Sequence, residues 1–301
     1  MAAQETLRPV AVIGAGLDLG AGRRGVDMGP SAIRYAGLQE RIEQLGRVCA
    51  DWGDVGVGLP EATEVGDPRA RYLESIKRSC ERVSSLVHDA REGGYLPLVL
   101  GGDHSIAIGT LGGLARAHGA GAALWVDAHG DLNRPETSPT GNVHGMPLAA
   151  AFGVAGDAFR DAAWPTPSVE RAALVGVRSL DAGERELIRE LNVRVYTMSD
   201  IDRRGLERAM NDALAYLEGA PFVHVSIDLD VVDPMIAPGV GTPVPGGFSY
   251  REAHLVAELV SESGLLDSLE LVEVNPVLDR ANETGLLAVE LAASALGARI
   301  L

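Results

Sequence analysis

Three short stretches of the sequence concentrate acidic and imidazole side chains: Gly101-Gly-Asp-His104-Ser, Asp127-Ala-His129-Gly-Asp131 and Ser226-Ile-Asp228-Leu-Asp230. Each follows an apolar run that reads as a β-strand, and parallel α/β folds bind ligands at the carboxyl ends of their strands. In extended backbone residues i, i+2 and i+4 point to one side, so Asp127, His129 and Asp131 should share a face, as should Asp228 and Asp230. With His104 they supply four carboxylates and two imidazoles. Crowded carboxylates repel and raise one another's pKa unless cations neutralise them. Two divalent ions would balance the four aspartates, and a hydroxide between them would leave a net charge of about −1, suited to activating water. For any one motif an ordinary reading competes: Asp103 or His104 could cap a helix, and an aspartate at a strand end often only ends the ladder. Three such motifs in succession argue for the metal centre.

The remaining histidines carry less. His88 and His118 fall in or near helix ends, and His254 lies within a helix without an acidic neighbour at ligand spacing. His224 shares the strand face of Asp228 but lies about 13 Å earlier along it, so it reads as a core residue. Cys49 and Cys80 form no CxxC or Cys/His pattern and read as buried small hydrophobes.

The elements that must position these groups are legible as apolar, β-rich runs at residues 10–14, 48–52, 96–100, 122–126, 172–177, 193–197, 222–227 and 269–274. Helical stretches separate most of them: Asp67-Pro68 opens one that stops near Gly93-Gly94, and Ser249-Tyr-Arg-Glu252 reads as a capping box. Alternating strands and helices predict a mainly parallel sheet covered on both faces, in a single domain spanning residues 1–301. Eight β/α units would equally fit a closed barrel, and periodicity does not choose between the two. Residues 53–66 and 134–145 read as loops. The glycines of Gly14-Ala-Gly16-Leu-Asp-Leu-Gly20 imitate a dinucleotide fingerprint, but further glycines follow and a helix is expected only from Pro30, so the segment reads as a loop.

With 26 basic and 42 acidic residues among 301, the net charge of −16 argues against nucleic-acid or anionic-lipid partners. The opening MAAQETLRPV lacks a signal-peptide pattern and no run of about 18 apolar residues occurs, so a cytoplasmic location is expected and no membrane association.

The three motifs together resemble the ureohydrolase family. Further matches resemble its arginase branch rather than agmatinases: Asn133, Ser-Pro-Thr140-Gly-Asn142-Val-His144-Gly, Arg178-Ser-Leu-Asp181-Ala-Gly-Glu184, Gly-Thr242-Pro-Val and Glu273-Val-Asn-Pro276. The resemblance extends from about Val12 to Leu278. It implies a doubly wound, mainly parallel eight-stranded sheet and a cleavage of the guanidino group of L-arginine to L-ornithine and urea by a metal-bridging hydroxide. It also implies two Mn²⁺ per subunit, one held by His104, Asp127, Asp131 and Asp228 and the other by His129, Asp127, Asp228 and Asp230, with Asp127 and Asp228 bridging. Ligand type alone would not exclude Fe, Co or Zn. By the same resemblance Asp131 orients the hydroxide, Glu273 anchors the guanidinium and His144 shuttles a proton to the leaving amine. Asn133, Thr140 and Asn142 would face the α-carboxylate, Asp181 and Glu184 the α-ammonium, with Thr242 also at the substrate. Asp181-Ala-Gly-Glu184 equally reads as a helix N-cap with an acidic first turn. Val231-Val232, Gly130 and Thr140 depart from the family's usual residues without removing a ligand. A homo-oligomer, trimer or hexamer, is the family expectation, although the extended tail of animal arginases is not matched. The rival readings are a ureohydrolase for agmatine or a guanidino acid, and a catalytically silent, metal-binding regulatory homologue.

Overall fold

A computed structural model describes residues 7–299. All eight expected strands form, as β1 (Val10–Ala15), β2 (Cys49–Asp54), β3 (Leu96–Gly101), β4 (Gly121–Val126), β5 (Val169–Val177), β6 (Arg194–Thr197), β7 (Val223–Asp228) and β8 (Ser268–Val272). They make one sheet in the order β2-β1-β3-β8-β7-β4-β5-β6, every neighbouring pair parallel. The sheet is open, so the doubly wound alternative holds over the barrel.

Parallel strands require crossovers, and helices supply them on both faces. On one face α1 (Gly29–Tyr35), α2 (Leu38–Gln44), α7 (Met198–Arg204), α8 (Leu206–Leu217), α9 (Tyr250–Ser263) and α10 (Glu283–Ala295) pack over Val12, Leu98, Leu124, Val225 and Leu271. On the other α3 (Leu73–Glu92), α4 (Ala107–His118), α5 (Pro147–Ala151) and α6 (Ala182–Glu190) cover Ile13, Val99, Ala123, Trp125 and Val272. The two lists alternate along each strand, which is the period-two rule at work. Helices α3 and α4 approach closely because α4 presents Gly109 and Gly113: a Cβ at either would stand 2.5 Å from the Cys80 or Ser84 carbonyl oxygen of α3. Among the described residues no helix is long and apolar enough to cross a membrane.

Ser249 caps α9 in the expected box with Glu252, and α1 begins at Gly29 beside Pro30. The helix expected from Asp67-Pro68 begins instead at Leu73. Asp67 Oδ1 accepts the Arg69 N–H, Arg71 and Tyr72 donate their N–H groups to Gly141 and Val65, and Tyr72 takes a left-handed φ of 58°. Those donors are spent on loops, which leaves the helix no earlier start. Strand β8 likewise stops at Val272 rather than at 274, because Glu273 has φ 63°.

Candidate metal and substrate site

Four adjacent central strands, β3, β8, β7 and β4, carry the chemistry at their carboxyl ends. His104 opens a 3-10 turn after β3, capped by Asp103, whose Oδ1 accepts the Ser105 N–H while Oδ2 accepts that of Gly20. The glycine-rich segment after β1 is therefore a loop pinned to the site, and its Gly20 carbonyl accepts the His144 N–H at 3.2 Å.

The aspartates and histidines converge, but not through extended backbone. β4 ends at Val126, and Asp127 Oδ1 then accepts the His129 N–H at 2.7 Å, bending the chain, while Asp131 adopts φ 53°. Asp228 Oδ1 accepts the Asp230 N–H at 2.8 Å and starts a 3-10 turn. Tight turns closed by the aspartates' own oxygens bring the groups together, where simple alternation was expected.

His104 Nδ1 lies 3.0 Å from Asp131 Oδ2, 3.3 Å from Asp127 Oδ2 and 3.4 Å from Asp228 Oδ2. His129 Nδ1 lies 3.0 Å from Asp230 Oδ2 and 3.5 Å from Asp127 Oδ1. Asp127 thus turns one oxygen to each histidine, and two sets of three donors, His104/Asp127/Asp131 and Asp127/His129/Asp230, each gather within 4.8 Å. Asp228 turns Oδ2 toward His104, while its Oδ1 accepts the Asp230 N–H.

The donor set fits cations. His104 Nδ1, Asp131 Oδ2 and Glu273 Oε2 are buried without a hydrogen-bond partner. Burial, then repulsion from Asp230 and Asp127, drives Asp228 well above the carboxylate range. Burial would lower the His129 pKa, yet Asp230 and Asp127 overcome it and push it up to about 12. The cluster's excess negative charge is answered by whatever positive charge is within reach.

Glu273, directly after β8, faces His144. Its Oε1 accepts the His104 N–H at 3.0 Å and sits 2.9 Å from His144 Nδ1. Burial opposes the imidazolium, but Glu273 outweighs it and raises His144 to about 9.

A cavity of about 230 Å³ runs from this cluster outward, lined by His104, His129, Asp131 and Asp228 and then by Asn133, Thr140, Asn142, His144, Asp181, Glu184 and Thr242. Every residue named for the outer pocket is therefore at the cavity, and several are already bonded to each other. Asn133 Nδ2 donates to Asp181 Oδ2 at 2.9 Å, and Arg71 donates to Asn142 Oδ1 at 3.4 Å. Thr242 Oγ1 donates to Asp230 Oδ2 at 3.0 Å. Glu184 spends both oxygens on backbone, Oε2 on the Asp181 N–H and Oε1 on the Leu132 N–H, tying α6 to the Asp131 loop; burial raises its pKa to about 7.

Ser226 and Arg178 stand in the quoted motifs without a role; sequence reasoning missed that Ser226, Glu270 and Thr110 form a buried polar chain behind His104 and that the Arg178 guanidinium donates to the Asp230, Val231 and Val244 carbonyls. Polar residues at alternate positions of the β7 and β8 runs were the available signal. His224 is the core residue expected, 0% exposed and bonded to Ser268 Oγ.

The Arginase family model matches residues 8–297. The chain belongs to the arginase family. It is a hydrolase of that family. It is 48% identical to the arginase of Bacillus caldovelox over 98% of this chain and all of that one, and the solved structure of that arginase superposes with a TM-score of 0.94. The arginase of Bacillus subtilis is 47% identical over 98% of this chain and 99% of its own. A solved arginase from Entamoeba histolytica in complex with L-ornithine is 29% identical, with a TM-score of 0.89 over 97% of this chain and 100% of that one.

Proposed function

We propose that this arginase-family chain hydrolyses L-arginine to L-ornithine and urea at a two-manganese centre. The observation that carries the reading is one cavity with two chemically distinct ends: a buried carboxylate–imidazole cluster inside, and amide, hydroxyl and carboxylate groups outside. The names of the relatives support the substrate.

One ion would be held by His104, Asp127, Asp131 and Asp228 and the other by Asp127, His129, Asp228 and Asp230. When bound, the pair supplies a nucleophilic oxygen near neutral pH by lowering the pKa of water. Glu273 takes the guanidinium: Oε1 is fixed by two donors, so the unpartnered Oε2 offers the fresh acceptor for a substrate N–H. Asp131 accepts a hydrogen bond from the attacking oxygen. The carbon–oxygen bond forms first and makes the guanidino carbon tetrahedral, and the collapse of that intermediate breaks the bond from the carbon to the side-chain nitrogen. Both protons of the water end on the departing amine, which leaves as an ammonium, and His144 delivers one of them. At the outer end Asn133, Thr140 and Asn142 take the α-carboxylate and Asp181 the α-ammonium, with Glu184 holding the Asp181 backbone.

Urea release by the purified chain with added Mn²⁺, measured for L-arginine, agmatine and 4-guanidinobutyrate, tests this. L-Arginine is expected to be preferred by about 10³ or more in kcat/KM, because the other substrates leave outer groups unpaired. Equal turnover of agmatine would replace the substrate, and no urea from any of them would favour a silent homologue.

A further inference from the structure

Register places Ser226 of β7 opposite Glu270 of β8 and beside Trp125 of β4, on the face covered by α4. Glu270 is 0% exposed. Its Oε2 accepts the Thr110 hydroxyl from α4, and its Oε1 accepts the Ser226 hydroxyl at 3.1 Å. Ser226 Oγ lies 2.8 Å from His104 Nε2.

Proton counting fixes the direction of this chain. A serine hydroxyl has one proton, and an ionised carboxylate can only accept. Ser226 therefore gives its proton to Glu270 and can only accept from His104, so Nε2 carries hydrogen. The nitrogen left to present a lone pair is Nδ1, the atom aimed at Asp127, Asp131 and Asp228. Trp125 stacks on the ring with centroids 4.1 Å apart and planes 5° from parallel, which blocks tilting.

We infer that Glu270, which is no ligand itself, is a positioning residue that acts through Ser226 to select the His104 tautomer and orientation required by its ion. Without Glu270 the Ser226 hydroxyl is free to turn and donate to Nε2, leaving the ring proton on Nδ1 in the face of the cation. Partners of this kind behind a ligating histidine typically change metal affinity by about 10–100-fold. The alternative is that Glu270 serves only to fasten α4 to the sheet through Thr110.

The test rests on the two-ion reading above and needs no turnover: Mn²⁺ is titrated into the metal-stripped full chain and the free-ion electron-spin-resonance signal is followed. Wild type is expected to take up two ions. Ser226→Ala and Glu270→Leu, which leaves Ser226 no acceptor at that place, should each weaken one of them about 10–100-fold and spare the other. Ser226→Thr, which keeps the hydroxyl, should restore uptake. Thr110→Val removes the link to α4 and should lower the melting temperature with Mn²⁺ affinity unchanged. Wild-type affinity for both ions in Ser226→Ala and Glu270→Leu would overturn the inference, as would equal weakening in Thr110→Val. Fewer than two ions in wild type would instead overturn the two-ion reading, before any variant is compared.

Discussion

The two ends of the cavity are built differently. The inner end hangs from strand termini: His104, Asp127, Asp228 and Glu273 each lie within three residues of the ends of β3, β4, β7 and β8, and partners behind them are fixed by sheet register. The outer end is loop against loop: Asn133, Thr140 and Asn142 stand on the segment between β4 and α5, held to the segment before α3 by the Arg71 N–H to Gly141 and to α6 by Asn133 and Glu184. Register is stiff and loops are adaptable, so the inner end can hold reacting atoms closely while the outer end selects what enters.

That contrast is broken most severely at Asp127. It turns one oxygen to each histidine, so Asp127→Ala should remove a ligand from both ions and lower urea release by about 10³-fold or more, whereas Asp230→Ala touches only the His129 set. Metal content and activity measured together check this; equal loss in the two variants would deny Asp127 its bridging place. Removal of metal by chelation should abolish activity, and Mn²⁺ should restore it.

His144 sits where the two ends meet. His144→Ala should lower kcat by about 10²–10⁴-fold with a smaller change in KM, as expected for a proton carrier acting in the transition state. A KM that rises while kcat holds would move His144 to the binding end. Added imidazole should recover part of the rate.

The difference between the ends is also the difference between what the sequence reveals and what it hides. Eight strands and the inner carboxylate–imidazole cluster could be read because apolar runs and D-x-H-x-D or D-x-D spacings are local signals. The turn geometry that aims them could not: Asp131 and Glu273 adopt positive φ values of 53° and 63°, which ordinary residue preferences do not announce. The link between Ser226 and Glu270 was hidden for another reason. They sit in runs otherwise read as apolar strands, and only the register of β7 against β8 makes them neighbours. Glu184 reads in the sequence as a substrate contact that also satisfies a helix cap, and both features meet in one carboxylate: it bonds backbone and borders the cavity.

The outer end should show its adaptability as a selective loss. Asn142→Ala removes an amide whose oxygen is already taken by Arg71, leaving its N–H₂ as the group offered to the cavity. Its loss should raise KM for L-arginine about 10-fold while changing agmatine turnover little, since agmatine has no α-carboxylate to miss it. Parallel loss for both substrates would mean that Asn142 shapes the loop and not the selection.

Glu184 gives the smallest expected effect on turnover and the sharpest test of how the ends are joined. Glutamine at this position keeps the volume but replaces one acceptor oxygen by an N–H₂ group, which must then face either the Asp181 or the Leu132 N–H. Losing one buried acceptor in this way typically costs about 1–3 kcal/mol. Because Leu132 follows Asp131 directly, the strain should pass to the inner cluster as well as to the first turn of α6. Glu184→Gln should therefore lower the melting temperature and weaken Mn²⁺ uptake slightly, with kcat/KM for arginine falling only a few-fold. If Glu184 instead held the substrate ammonium directly, the order would reverse: a large rise in KM for arginine, with melting temperature and metal uptake unchanged. Thermal melts, metal titration and steady-state kinetics on the one variant separate a brace between the two ends from a contact at one of them.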